Sequence, residues 1–112
     1  PNYDMFSVDD ASNMLTKGGL AARIMIDASH ANSRKIPARQ LDVASDIATQ
    51  VARGNNNIFG IMLESNLVEG RQDVVSGQPL TYGQSITDAC VNWDDTQSLL
   101  LELATAVQLR RG

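Results

Sequence analysis

The sequence predicts an α/β fold built on parallel strands, and three observations carry that prediction. Two short runs, Ala22–Asp27 and Ile58–Glu64, are almost wholly apolar, as strands covered on both faces are. Stretches with helical spacing of apolar residues precede, separate and follow them. Strands joined through a helix imply right-handed crossovers and hence a parallel sheet.

The elements follow in order. Val8, Ala11, Met14 and Leu15 share one helical face, so a helix is expected over about residues 8–17. Ser7 is its expected N-cap, Asp9 and Asp10 suit its positive end, and Gly18-Gly19 stops it. The first strand then runs into a polar loop from Asp27 to Lys35, which Pro37 closes. Leu41, Ala44, Ile47, Ala48 and Val51 mark a second helix, ended by Arg53 and Gly54. Asn55-Asn56-Asn57 is a turn before the second strand.

Residues 65–95 carry Gly70, Gly77, Pro79 and Gly83 and no sustained period, which predicts a long loop that is either functional or disordered. A last helix is expected from a cap at Asp94 or Asp95. Its stripe would be Leu99, Leu100, Leu103, Ala106 and Val107, and Arg110-Arg111 suit its negative end.

Two parallel strands do not make a stable sheet, because both edges would stay open. A (β/α)₈ barrel takes about 250 residues, so these 112 supply about two of its units. The organisation therefore asks for partner strands from elsewhere. The opening Pro1-Asn2-Tyr3, with no Met before it, fits part of a longer protein.

Composition excludes several classes. Nine Lys and Arg against thirteen Asp and Glu leave a net charge of −4. Such a chain is a poor general binder of nucleic acid or anionic membrane. No apolar run approaches the roughly 20 residues that span a bilayer. A single cysteine, Cys90, cannot form an internal disulfide, which suits a reducing, cytoplasmic setting.

The chemistry-bearing residues collect at the C-terminal ends of the strands, where parallel α/β folds place their sites. His30 lies just past the first strand and Glu64 ends the second, while Asp88 sits in the long loop. Together they are a plausible N,O set for divalent Mn, Fe, Co or Zn. Each also has a plainer reading: a solvated loop histidine, a carboxylate paired to an arginine, a helix cap. Cys90 has no His or Lys nearby in sequence and reads as an inert buried thiol. Arg34, Lys35 and Arg39 read as a solvated loop with some capacity for phosphate, Trp93 as a packing anchor, and Met14, Met25 and Met62 as core filling.

Ile24-Met25-Ile26-Asp27-Ala28-Ser29-His30-Ala31-Asn32-Ser33, and then Gly60-Ile61-Met62-Leu63-Glu64-Ser65-Asn66-Leu67-Val68-Glu69-Gly70, resemble segments of the class I 3-deoxy-D-arabino-heptulosonate 7-phosphate (DAHP) synthases in the same order. The run from Gly77 through Pro79, Tyr82 and Asp88 to Cys90 follows, and Ala106–Gly112 closes the series. The likeness covers essentially the whole chain.

It implies a C-terminal segment of a (β/α)₈ TIM barrel, with strands seven and eight at residues 22–27 and 58–64. Residues 1–112 would then be one segment of a barrel domain, completed by other chains or by self-association. The implied reaction is metal-dependent condensation of phosphoenolpyruvate with erythrose 4-phosphate, at the entry to aromatic amino-acid biosynthesis. The implied metal ligands are His30, Glu64 and Asp88, with a fourth, a cysteine of a Gly-Pro-Cys motif, outside this sequence. Asn66 and Arg71 depart from residues common in the family, at positions that are not ligands. The sister 3-deoxy-D-manno-octulosonate 8-phosphate synthases, and a non-catalytic fragment that self-associates into an oligomer, are the alternatives. The segment alone is expected to lack synthase activity.

Overall fold

A computed structural model describes all of residues 1–112. Helix α1 spans Met5–Lys17, strand β1 Ile24–Asp27, the one-turn helix α2 His30–Ser33, helix α3 Pro37–Ala52, strand β2 Ile58–Met62 and helix α4 Trp93–Arg111. The two strands pair in parallel, with Ile26 opposite Ile61 and Asp27 opposite Met62. Between Ile24 and Met25 the register shifts from Ile58 to Gly60, so Phe59 is an extra residue on β2.

The predicted helix, strand, helix, strand, helix order holds, with the one-turn α2 added inside the expected loop, and three boundaries move for local reasons. Asp4, not Ser7, caps α1: its carboxylate accepts from the Ser7 backbone N–H, and the helix starts at Met5. Pro37 does not merely close the loop. It occupies the first turn of α3, where its missing N–H costs nothing. Asn92, not Asp94 or Asp95, caps α4 by accepting from the Asp95 N–H, leaving the two aspartates inside the first turn.

The core lies on one face of the sheet. Ile26, Ala28 and Ile58 pack against Val43, Ile47, Ala48 and Val51 of α3 and Ala106 of α4, with Val8 of α1 at the margin. The α3 residues recur every three or four positions, which is why one stripe reaches the strands. Arg110 ties the end of α4 to the start of β2, donating to the carbonyls of Asn55 and Ile58 at 3.0 and 2.9 Å.

The opposite face and both edges of the sheet are bare. Met25 is 57% exposed and Phe59 63%. Met14 is exposed as well, so two of the three methionines expected in the core lie outside it, and Met62 is only half-buried. Leu100 also leaves the expected stripe of α4, and Trp93 is half-exposed at the start of that helix rather than anchoring it. The radius of gyration is 16.2 Å, whereas a compact chain of this length would have about 13 Å. The 112 residues form an extended α/β layer with principal extents of 55 × 30 × 18 Å.

Candidate metal centre

The site is assembled where the two strands end. Asp27 is the last residue of β1, and the chain turns sharply around its carboxylate. Oδ1 accepts the Ser29 N–H at 2.7 Å, the local bond that aspartate offers a turn. Oδ2 lies 2.8 Å from His30 Nδ1. Asn32 returns a bond from its side-chain amide to the Asp27 carbonyl at 2.8 Å, and the buried Ser33 hydroxyl donates to the His30 carbonyl at 3.3 Å. The polar run after the strand is therefore a hydrogen-bonded knot, where the sequence alone suggested an open loop. His30 sits in it with φ +37°, a left-handed conformation uncommon for a side-chain-bearing residue.

Glu64 reaches the same point from the end of β2. Its Oε1 is 3.0 Å from His30 Nε2, while its Oε2 is buried without a hydrogen-bond partner. Its backbone has left the ladder with β1, whose last pair is Asp27 with Met62. The side chain of Gln40, on α3, takes over: it accepts the Glu64 N–H at 2.9 Å and donates to the Glu64 carbonyl at 3.3 Å. Val91 N–H also donates to that carbonyl, at 3.0 Å.

Asp88 comes from the long loop, which its own polar groups tie together. Gly70 and Cys90 exchange two backbone bonds of 2.8 and 3.1 Å. Arg71 donates from Nε to the Thr87 carbonyl at 2.8 Å. These bonds bracket Asp88 and set its Oδ2 3.4 Å from His30 Nε2, with Lys35 Nζ 3.9 Å from its other oxygen.

The three residues predicted as ligands thus meet: one ligand atom each from His30, Glu64 and Asp88 lies within 4.8 Å of the others. Glu64 pairs with this histidine and with no arginine. The hydrogen bond and charge of Asp27, with the further charges of Glu64 and Asp88, hold the His30 imidazolium above its ordinary pKa, against a smaller opposing effect of burial. Cys90 stands apart. It is buried, burial pushes its thiol pKa up, and its Sγ donates to the Asp88 carbonyl at 3.5 Å.

Sequence reasoning missed Asp27, Gln40 and Lys35 as partners of the site. The Asp27–Ser29 spacing of an aspartate turn was a usable signal for the first. Gln40 had none, since 24 residues separate it from Glu64.

A cation fits this donor set. Three carboxylates face one imidazole, the buried Glu64 Oε2 lacks a donor, and Asp27 holds the proton on His30 Nδ1 when the ring is neutral, leaving Nε2 free to ligate.

The sequence profile of the DAHP synthetase I family matches residues 1–101. The chain is 53% identical over 112 residues to the Phe-sensitive phospho-2-dehydro-3-deoxyheptonate aldolase of Escherichia coli K12, covering all of this chain and 32% of that protein. It is 50% identical to the phospho-2-dehydro-3-deoxyheptonate aldolase of Haemophilus influenzae, over 99% of this chain and 31% of the relative. The structure of phospho-2-dehydro-3-deoxyheptonate aldolase from Francisella tularensis SCHU S4 superposes with a TM-score of 0.94 at 48% identity, over all of this chain and 32% of that one. The chain spans about a third of the length of these relatives.

Proposed function

The chain belongs to the DAHP synthetase I family, and on that premise we propose that it is the C-terminal part of a metal-dependent DAHP synthase, condensing phosphoenolpyruvate with erythrose 4-phosphate. The observation that carries the metal reading is the convergence of His30, Glu64 and Asp88 at the strand ends. In this reading β1 and β2 are strands seven and eight of a (β/α)₈ barrel. The bare face and edges of the sheet, with Met25 and Phe59 exposed, support it, since the remaining strands would cover them. Residues 1–112 are then one segment of a barrel domain.

His30 Nε2 and the carboxylates of Glu64 and Asp88 would hold a divalent Mn, Fe, Co or Zn ion, an N,O set suited to these metals. Bound there, it would act as a Lewis acid toward the aldehyde carbonyl of the acceptor. The chain's own residues set the conditions. Asp27 fixes the imidazole tautomer and plane through Nδ1. Lys35 Nζ adds an exposed positive charge 3.9 Å from Asp88 Oδ1, at the edge of the cluster. The fourth ligand would be the cysteine of the Gly-Pro-Cys motif, outside these residues, and Cys90 does not replace it because its sulfur is buried against the Asp88 carbonyl.

The test uses the intact protein that carries this segment. Phosphate release from phosphoenolpyruvate is followed with erythrose 4-phosphate or arabinose 5-phosphate as acceptor, before and after chelation. The expected result is turnover with the four-carbon acceptor that chelation abolishes and Mn²⁺ or Co²⁺ restores. Preference for arabinose 5-phosphate, or full turnover after exhaustive chelation, would overturn the proposal.

A further inference from the structure

We propose that Gln40 is a positioning residue for Glu64, acting on the metal centre by fixing the ligand's backbone; this rests on the metal reading above. Glu64 lies beyond the last residue pair of the sheet, so the ladder that fixes the rest of β2 does not hold it. Val91 N–H reaches the Glu64 carbonyl at 3.0 Å, but the Glu64 N–H has no backbone acceptor, and a metal site tolerates little freedom in a ligand. The Gln40 amide supplies the missing neighbour. Its Oε1 accepts the Glu64 N–H at 2.9 Å and its Nε2 donates to the Glu64 carbonyl at 3.3 Å, as an adjacent peptide group in a sheet would.

Three features make this more than a surface contact. Gln40 is 1% exposed, so both bonds form away from competing water. It sits in the first turn of α3, three residues after the proline that starts the helix, and α3 begins soon after the knot that holds His30. The docked helix thus carries the amide that holds the second strand-end ligand. Finally, the two bonds need a donor and an acceptor on one planar group. Among side chains of this length only an amide supplies both, since glutamate lacks the donor and methionine lacks either.

The test measures Co²⁺ binding to the intact protein by chelator competition and by the ligand-field absorption of the bound ion. Gln40→Met keeps volume and removes both bonds; it is expected to weaken Co²⁺ about 10- to 100-fold and to alter the absorption band. On a Glu64→Gln background the same change should cost less than about threefold, because residues acting through one contact are not additive. Val51→Ala, in the last turn of the same helix, lowers stability yet should leave Co²⁺ affinity within about twofold. Should Gln40→Met fail to fold, Gln40→Glu, which keeps the acceptor and loses the donor, is measured against the same criteria. Wild-type Co²⁺ affinity in the Gln40 variant, or an equal loss with and without Glu64→Gln, overturns the inference while leaving the metal centre standing. Undiminished Co²⁺ binding by Glu64→Gln alone overturns the metal reading itself.

Discussion

His30 Nε2 lies 3.0 Å from Glu64 Oε1, and with that contact the ends of two adjacent parallel strands become one site. Asp27 occupies the other ring nitrogen at 2.8 Å and Asp88 stands 3.4 Å from Nε2. A protonated imidazole therefore serves as the central cation of three carboxylates. A divalent ion on Nε2 would take over that role, so the proton and the ion compete for the same nitrogen.

Asp27→Asn tests the electrostatic half of this arrangement. Removing the charge and the ionic hydrogen bond should bring the His30 titration midpoint down toward the ordinary 6.5. The measurement is imidazole NMR of the metal-free intact protein across pH. An unchanged midpoint would show that Asp27 is not the dominant influence. The same variant should weaken Co²⁺ binding by about 10- to 100-fold.

Metal affinity should fall with acid. The metal-free site favours the imidazolium, whose pKa is raised, and binding requires the neutral ring. Below the raised value each ion bound at His30 displaces a proton; well above it none is released. Calorimetric titration of Co²⁺ in two buffers of different ionisation enthalpy reads the proton count directly. No buffer dependence below pH 6.5 would contradict the placement of the ion on Nε2.

Asp4 should give α1 a pH-dependent anchor. The Ser7 side-chain and backbone hydrogen bonds hold its carboxyl below the ordinary aspartate value of 3.8. A depressed folded-state pKa means stabilisation that is complete above the unfolded value and lost as pH falls through the folded one. Asp4→Asn keeps a capping oxygen and removes the charge. Urea midpoints of wild type and Asp4→Asn should differ at pH 7 and converge in strong acid, and a constant gap would refute the account.

Gly83 and Gly77 make a matched pair in the long loop. Both have positive φ, +81° and +79°. A Cβ at Gly83 would meet the Leu67 Cβ at 2.7 Å, whereas at Gly77 it would meet nothing within 4 Å. Gly77→Ala should carry only the left-handed penalty of about 1–2 kcal/mol. Gly83→Ala should cost more and free the Val68 amide, which donates to the Gly83 carbonyl at 2.9 Å. Hydrogen exchange at Val68 is the readout, and equal protection in the two variants would argue against the Leu67 clash.

The 112-residue segment expressed alone should self-associate. Its sheet has two unpaired edges, and Met25 and Phe59 on its strands are exposed. Such edges recruit other strands. Light scattering is expected to give a mass above that of a 12.1 kDa monomer, and the segment should show no synthase turnover. A monodisperse monomer at micromolar concentration would count against this reading.

The sequence by itself determined the order of elements, because apolar spacing differs so plainly between the α3 stripe and the run Ile58–Met62. It also marked His30 and Glu64, since strand ends are where such residues gather, and Asp88 in the loop that follows the second strand. It misjudged Met14, Met25 and Leu100. Their hydrophobicity says that they prefer burial, but burial needs a partner surface, and these 112 residues do not supply one. Tertiary structure alone decided the rest. The caps at Asp4 and Asn92 depend on which oxygen the turn aims at an N–H. The clamp of Gln40 on Glu64 depends on a helix docking beside a strand from which 24 residues of chain separate it. Periodicity is a property of neighbours along the chain, whereas a hydrogen bond is a property of neighbours in space.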